Sequence, residues 1–370
     1  MSSFAMQKYM TGGVLRVVRD SLRAVGADRR EAAFWLRYAV GAAAASAKRF
    51  ARELTGEHVP PFLIASITGS CNLHCAGCYA RENHACSDSA PADQLTAEEW
   101  DRVFTEAGAL GIGFILLAGG EPLLRWDVIK KAAEHPGVLF PIFTNGVFLG
   151  GQVLETLDAK RNLVPVISLE GDEEETDRRR GKGVYRQVSA AMDALRKKGI
   201  AFGVSITVTK ENVRKVYSDR FLDSLAEKGC RAVIFVEYVP AAAGSDALAP
   251  GDEERAFILR TTARLRKTKP QMAYINFPGD EKSSGGCVAA GRGFFHVNVR
   301  GGAEPCPFSP YSDVNVRDAG LRGALKSPLF TALKAGGVLT EDHAGGCTLF
   351  ERRETVEALT RASQGAEVNS

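Results

Sequence analysis

Three cysteines stand within eight residues, in the run Cys71-Asn-Leu-His-Cys75-Ala-Gly-Cys78. Thiolates are soft donors, suited to zinc or to an iron–sulfur cluster. Three of them on one loop leave a corner of a four-iron cubane free. An open iron can bind a substrate or cofactor, which a site closed by four thiolates cannot. A zinc site would draw on the same residues, with His74 or Cys86 as the fourth ligand. Position favours the cluster, because the run directly follows an apolar strand and ligand chemistry in parallel α/β folds gathers at that end. Cys287, Cys306 and Cys347 form a second constellation in a glycine-rich stretch, while Cys86 and Cys230 stand apart.

The elements that must position these residues are read from periodicity. Six short apolar runs without alternation suit parallel strands covered on both faces: Phe62–Thr68, Gly113–Ala118, Leu139–Thr144, Leu163–Leu169, Phe202–Thr209 and Ala232–Tyr238. Helical stretches separate them near 96–110, 127–135, 152–159, 184–198 and 217–228, the first opened by a Thr96–Glu99 capping box. Strand–helix alternation implies right-handed βαβ units. Before them, Val14, Val17, Val18 and Leu22 recur at helical spacing, and Arg29 to Arg52 is rich in alanine. Phe34, Trp35 and Tyr38, followed by Lys48, Arg49 and Arg52, read as a packing helix or as an interfacial one.

The strand ends carry further motifs in order. Leu117-Ala-Gly119-Gly120-Glu121-Pro122 closes the second strand, Phe143-Thr-Asn145-Gly146 the third and Ser168-Leu-Glu170-Gly171 the fourth. With the Cys71-x3-Cys75-x2-Cys78 run, this series resembles the radical S-adenosylmethionine superfamily over about residues 60–240. Gly77 stands where an aromatic residue is common in that superfamily, and Glu170 where Asp is more usual. Cys287, Gly301-x4-Cys306 and Gly346-Cys347 resemble the beginning and end of an auxiliary-cluster domain of the SPASM or twitch type.

The resemblance implies an α/β fold: a partial (β/α)6 barrel with an N-terminal helical region and a small C-terminal iron–sulfur domain. The corresponding division is 1–57, 58–245 and 246–362, with 363–370 a disordered tail. It implies that Cys71, Cys75 and Cys78 hold a [4Fe–4S] cluster that cleaves S-adenosylmethionine to a 5′-deoxyadenosyl radical. Gly77, Tyr79, Gly119, Gly120, Glu121 and Asn145 would contact that cofactor, with Ser168, Glu170 and Arg180. Cys287, Cys306 and Cys347 would hold a further [4Fe–4S] cluster, with Cys230, Cys86 or His343 as fourth ligand, or an open site.

Composition narrows the partners. In 370 residues the net charge is +3, too weak a basic balance to argue for nucleic acid. The start of the chain lacks a secretory pattern, so a reducing cytoplasm and unpaired thiols are expected. The substrate is read as a peptide matured or oxidised by hydrogen abstraction, or else as a small molecule or lipid joined or transferred. Flavodoxin or ferredoxin is the expected electron donor, and peripheral membrane contact follows only from the interfacial reading of Phe34 and Trp35. A non-enzymatic metal-binding or electron-transfer protein is the reading from another class. Neither the catalytic base nor the oligomeric state is legible.

Overall fold

Apolar runs this short form stable strands only when neighbours cover both faces, and that is how they are arranged. The computed structural model describes residues 29–278, 285–340 and 346–367, together with Met6 and Gly12. Val14 to Leu22 and His343 lie outside the described residues. The six expected strands are β1 (Phe62–Thr68), β2 (Phe114–Gly119), β3 (Phe140–Thr144), β4 (Leu163–Leu169), β5 (Gly203–Val208) and β6 (Ala232–Glu237), paired in parallel and in sequence order. Between them run α2 (Ala97–Leu110), α3 (Trp126–Ala133), α4 (Gly151–Ala159), α5 (Glu173–Arg180), α6 (Val184–Lys197) and α7 (Asp219–Glu227), all preceded by α1 (Arg29–Leu54). The Thr96–Glu99 capping box is formed, and Trp100, Val103, Phe104, Ala107 and Leu110 bury one face of α2.

Among the described residues the sheet has ten strands rather than six. After α8 (Asp252–Thr268), β7 (Ala273–Phe277) adds in parallel beside β6. The strand β8 (Phe294–Val297) pairs in parallel with β1 at the opposite edge, and β9 (Gly302–Glu304) and β10 (Val314–Asn315) follow antiparallel. A division at 245 therefore falls between two neighbouring strands of one sheet. The chain then runs through α9 (Val316–Ala324) and α10 (Pro328–Ala335) to α11 (Arg353–Glu367). That last helix continues through 367, and Ser363 is buried with its hydroxyl on the Thr360 carbonyl.

Register assigns the faces. Leu63, Ala65, Ile67, Ile115 and Leu117 are fully buried beneath helices, whereas Phe62, Ile64, Ser66, Phe114, Leu116 and Ala118 point the other way, into the barrel lumen. The rings of Phe62, Phe114 and Phe294 meet at 5.1 and 5.4 Å and form an apolar floor at the amino ends of the strands. Phe277 of β7 lies 5.8 Å from Phe294 of β8, so the outer strands curl toward each other.

The structure decides the reading of α1. Phe34, Trp35 and Tyr38 are 6%, 4% and 3% exposed and pack with Leu139 near the amino ends of β2 and β3. The Tyr38 hydroxyl donates to the Gly113 carbonyl at 2.9 Å, and Arg49 donates to the Gly111 carbonyl at 2.5 Å. The aromatic face is thus spent on the protein, not on a lipid surface, which removes the observation behind a membrane-side substrate. Trp35→Ala should cost about 3–5 kcal/mol in urea unfolding and leave liposome flotation unchanged; flotation lost with full stability retained would restore the interfacial helix.

Candidate functional site

All four sequence motifs lie at the carboxyl edge of β1 to β4, where strands stop and backbone groups turn free. The cysteine loop leaves β1 and is held at several points. The Cys71 amide donates to the Ser87 carbonyl at 3.0 Å, and Arg81 donates to the carbonyls of Leu73 and Cys71 at 2.8 and 3.3 Å. On the far side, the Ala76 amide donates to the Arg179 carbonyl at 2.8 Å while Arg179 Nε donates back to the Ala76 carbonyl at 3.1 Å. The loop's shape is therefore set by β1 and by the end of α5 together.

Gly119 and Gly120 are required by close approach. A Cβ on Gly120 would overlap the Ser70 carbonyl and crowd the Cys71 side chain, and Gly119 has a φ of +126° with the Thr68 carbonyl against it. Two backbone bonds zip this contact: Gly120 N to Thr68 O at 2.9 Å and Glu121 N to Ser70 O at 2.8 Å. Glu121 is 1% exposed. Its carboxylate accepts from Leu123 N at 3.0 Å, Thr144 Oγ1 at 2.7 Å and Asn145 N at 2.7 Å. Asn145 then donates through Nδ2 to Asn72 Oδ1 at 2.8 Å, which returns the network to the cysteine loop. Burial pushes the Glu121 carboxyl up to about 7 against those donors, which favour its charged form.

Ser168 faces the lumen beside Ser205 of β5. Glu170 is buried, and its carboxylate is engaged throughout: Oε1 accepts from Arg179 at 2.6 Å and from Arg180 at 2.5 and 2.8 Å, while Oε2 accepts from Thr207 N at 3.2 Å. Arg178 to Arg180 read most simply as a solvated charge run, but the last two are drawn inward by this acid. Arg180 Nη1 stands 4.0 Å from Cys75 Sγ. Glu170 thus acts by aiming two arginines at the cysteine loop. Gly77 takes a φ of +64°, and the space a side chain would need there holds the ring of Tyr238, which follows β6.

Among the described residues no three histidine, cysteine or acidic side chains are already gathered as a metal-binding group. The chemistry of the cysteine loop nonetheless fits a cluster. The Leu73 amide donates to Cys71 Sγ at 3.5 Å, and the Cys71 thiol is held down at about 6, first by a hydrogen bond from Cys86. Cys86 itself is pushed up by that bond and by burial. Cys86 therefore belongs with the first cysteine group. Cys230 lies at the opposite, amino end of β6 with its thiol on the Ala232 carbonyl, and burial pushes it up to about 12.

Cys287, Cys306 and Cys347 are buried. Cys287 precedes β8 and Cys306 follows β9, and the two segments are joined by the bond from Ala290 N to Pro305 O at 3.1 Å. Tyr79 connects the two cysteine groups: its ring meets Phe308 at 4.6 Å, and its hydroxyl is pushed up by burial and then by the nearby Cys78 and Cys306. Cys347 lines a cavity of about 530 Å³ with Glu237, Tyr238, Arg255, Glu351 and Arg353. Two residues were not legible as site residues. Tyr238 has no motif, and His296 lies in a strand too short to see; it pairs with Ser66 and Glu304 inside the lumen.

Comparison with known proteins agrees with this geometry. The family described as the Radical SAM superfamily matches residues 65–234. The AdoMet-dependent heme synthase of Methanosarcina barkeri is 30% identical over 292 residues, covering 71% of this chain and 81% of its own. The PqqA peptide cyclase of Ruegeria pomeroyi is 26% identical, covering 72% and 75%. The crystal structure of Streptococcus suis SuiB bound to precursor peptide SuiA shares the fold at a TM-score of 0.62 and 16% identity, covering 78% and 70%. These matches set aside a non-enzymatic metal protein. The chain belongs to the radical S-adenosylmethionine superfamily and is an enzyme that uses a [4Fe–4S] cluster and S-adenosylmethionine.

Proposed function

We propose that this enzyme oxidises or matures a peptide by hydrogen abstraction, with Cys71, Cys75 and Cys78 as the ligands of its cluster. Gly119, Gly120, Glu121 and Asn145 would line one side of the cofactor, and Ser168 and Arg180, the latter aimed by Glu170, the other. Gly77 and Tyr79 would lie close to its adenosyl part. Cys287, Cys306 and Cys347 would hold an auxiliary cluster. When bound, the reduced cluster supplies the electron that cleaves S-adenosylmethionine to a 5′-deoxyadenosyl radical, which takes a hydrogen atom from substrate.

The observation that carries the peptide reading is the cavity beside Tyr238. Its lining includes Glu237, Asp246, Glu351 and Glu354 against Arg255, Arg352 and Arg353. Mixed acids and bases suit the alternating polar groups of a peptide. A planar macrocycle would call for an apolar slot, which weighs against a tetrapyrrole despite the heme-synthase relative. Among the described residues no helix is long and apolar enough to cross a membrane, and we place the enzyme in the cytoplasm with flavodoxin or ferredoxin as electron donor.

The residues themselves bind, orient and exclude water. The Glu121 network fixes the close approach of Gly120 to Ser70, and Arg180 brings a positive charge to the edge of the cysteine loop, where an anionic carboxylate would be received bidentately.

Two outcomes check this. Anaerobic reconstitution with iron and sulfide, followed by reduction and S-adenosylmethionine, should yield 5′-deoxyadenosine from the wild type. A Cys71→Ala/Cys75→Ala/Cys78→Ala variant should yield none; equal product from both would remove the ligand assignment. The second concerns Glu121. The folded chain holds its proton up to about 7 and the unfolded chain releases it near 4.5, so its contribution to stability declines as pH rises between those values. Relative to Glu121→Gln, the wild type should lose on the order of 3 kcal/mol between pH 4.5 and 7 in urea unfolding. Parallel pH profiles for the two proteins would contradict it.

A further inference from the structure

The lumen is almost free of ionisable groups. Its floor is Phe62, Phe114 and Phe294, and above it Ile64 and Leu116 continue the apolar wall. Within the described strands the titratable side chains that face inward are His296 and Glu304, brought opposite each other by the β8–β9 pairing. They are 4% and 5% exposed, whereas Ser66, on the same face of β1, is partly open to the lumen.

These three form a directed chain. Glu304 Oε2 meets His296 Nδ1 at 2.7 Å, and Ser66 Oγ meets His296 Nε2 at 2.7 Å. Glu304 Oε1 is held in turn by Asn298 Nδ2 at 2.6 Å. Read as a donor chain, His296 Nδ1 gives its hydrogen to Glu304 and Nε2 receives one from Ser66. The Ser66 hydroxyl must then donate to Nε2, which leaves its own lone pairs facing the lumen. Tyr79 and Cys306 are also titratable groups near Glu304, and burial keeps the Tyr79 hydroxyl proton in place. An order of acid, imidazole and hydroxyl of this kind prepares the hydroxyl to take a proton as it gives one.

We propose that Ser66 and His296 are the proton acceptor of the substrate oxidation, with Glu304 as the positioning residue that fixes the tautomer. This rests on the peptide-oxidation reading above. The substrate carbon loses a hydrogen atom to the 5′-deoxyadenosyl radical. Completing a two-electron oxidation then requires one proton and one electron to leave. An O–H, N–H or S–H next to that carbon gives its proton to Ser66 Oγ as Ser66 passes its own to His296 Nε2. A one-electron acceptor of the iron–sulfur class, which Cys287, Cys306 and Cys347 would hold, would take the electron as the carbon–heteroatom double bond forms. The substrate class that follows is a side chain whose reacting carbon carries a protonated heteroatom.

Two readouts test it, one of which needs no substrate. In the full-length chain labelled with ¹⁵N-histidine, the His296 signals are assigned by their loss in His296→Gln. The expected spectrum at neutral pH has Nδ1 protonated and Nε2 bare, with the Nε2 shift displaced in Ser66→Ala and restored in Ser66→Thr. A His296 that carries both protons between about pH 6 and 9 cannot accept another and overturns the proposal. The second readout uses the cluster-loaded enzyme, S-adenosylmethionine and synthetic peptides presenting Ser, Thr or Cys. The ratio of oxidised peptide to 5′-deoxyadenosine should fall about 100-fold in Ser66→Ala and in His296→Gln and recover in Ser66→Thr. An unchanged ratio overturns the assignment and leaves the three residues a tie between strands. If no peptide is oxidised by the wild type while the imidazole shows the expected tautomer, the peptide reading fails and the role of Ser66 and His296 in oxidation falls with it, while their hydrogen-bond order stands.

Discussion

A carboxylate buried as deeply as that of Glu121 is tolerated only where its oxygens are saturated with donors. Its donors come from separate segments: Leu123 just beyond its own turn, and Thr144 and Asn145 at the end of β3. Satisfying one acid therefore fixes the spacing of two strand ends, and the Asn145–Asn72 bond extends the constraint to the cysteine loop. Glu170 repeats the device on the other side, where Arg179 and Arg180 answer its charge and Arg179 also holds the Ala76 carbonyl. The cysteine loop is thus braced from both flanks by buried acids. Gly120 is the geometric counterpart, since any larger residue would push the turn off Ser70 and unpair both networks.

The same edge needs a covered lumen beneath it. Strands β1 to β6 alone would leave β1 with an open edge and a lumen open to water. The short β8 repairs the edge by pairing with β1, and it brings Phe294 into the floor. Phe277 on β7 approaches from the other side. Aromatic rings at the bottom and polar strand ends at the top give a cavity that is dry where the carbon skeleton of a substrate would rest and polar where its charged groups would be received.

Much of this was legible because the local signals agreed. The six strands are uninterrupted apolar runs, the Thr96 capping box names its helix start, and glycines mark the strand–helix turns. The cysteine spacing and the Gly119–Gly120–Glu121 turn stood out for the same reason. What escaped depends on partners far away in sequence. The engagement of Glu170 is one such case, because nothing nearby in the sequence announces that Arg179 and Arg180 turn inward to it. The aromatic face of α1 fitted a membrane as well as a sheet until Tyr38 was seen on the Gly113 carbonyl. The strands β7 and β8, of five and four residues, lie in a stretch of weak periodicity, so the sheet's true extent and the placement of His296 were hidden.

That hidden part bears on how labour is divided along the chain. The segment matched by the superfamily, residues 65–234, contains the first cysteine group and the strand-end motifs. Everything proposed here for the substrate lies wholly or partly beyond it: the cavity at Cys347, the second cysteine group, and His296 with Glu304. Ser66 is the exception, and it is joined to the C-terminal part by a single hydrogen bond across the β1–β8 pair. A sheet continuous across that boundary lets a later segment place its groups inside the lumen that the earlier one builds. Variation in the C-terminal strands could then change the substrate while leaving the cofactor edge untouched. This agrees with relatives named for hemes and for peptides that match the chain at similar coverage.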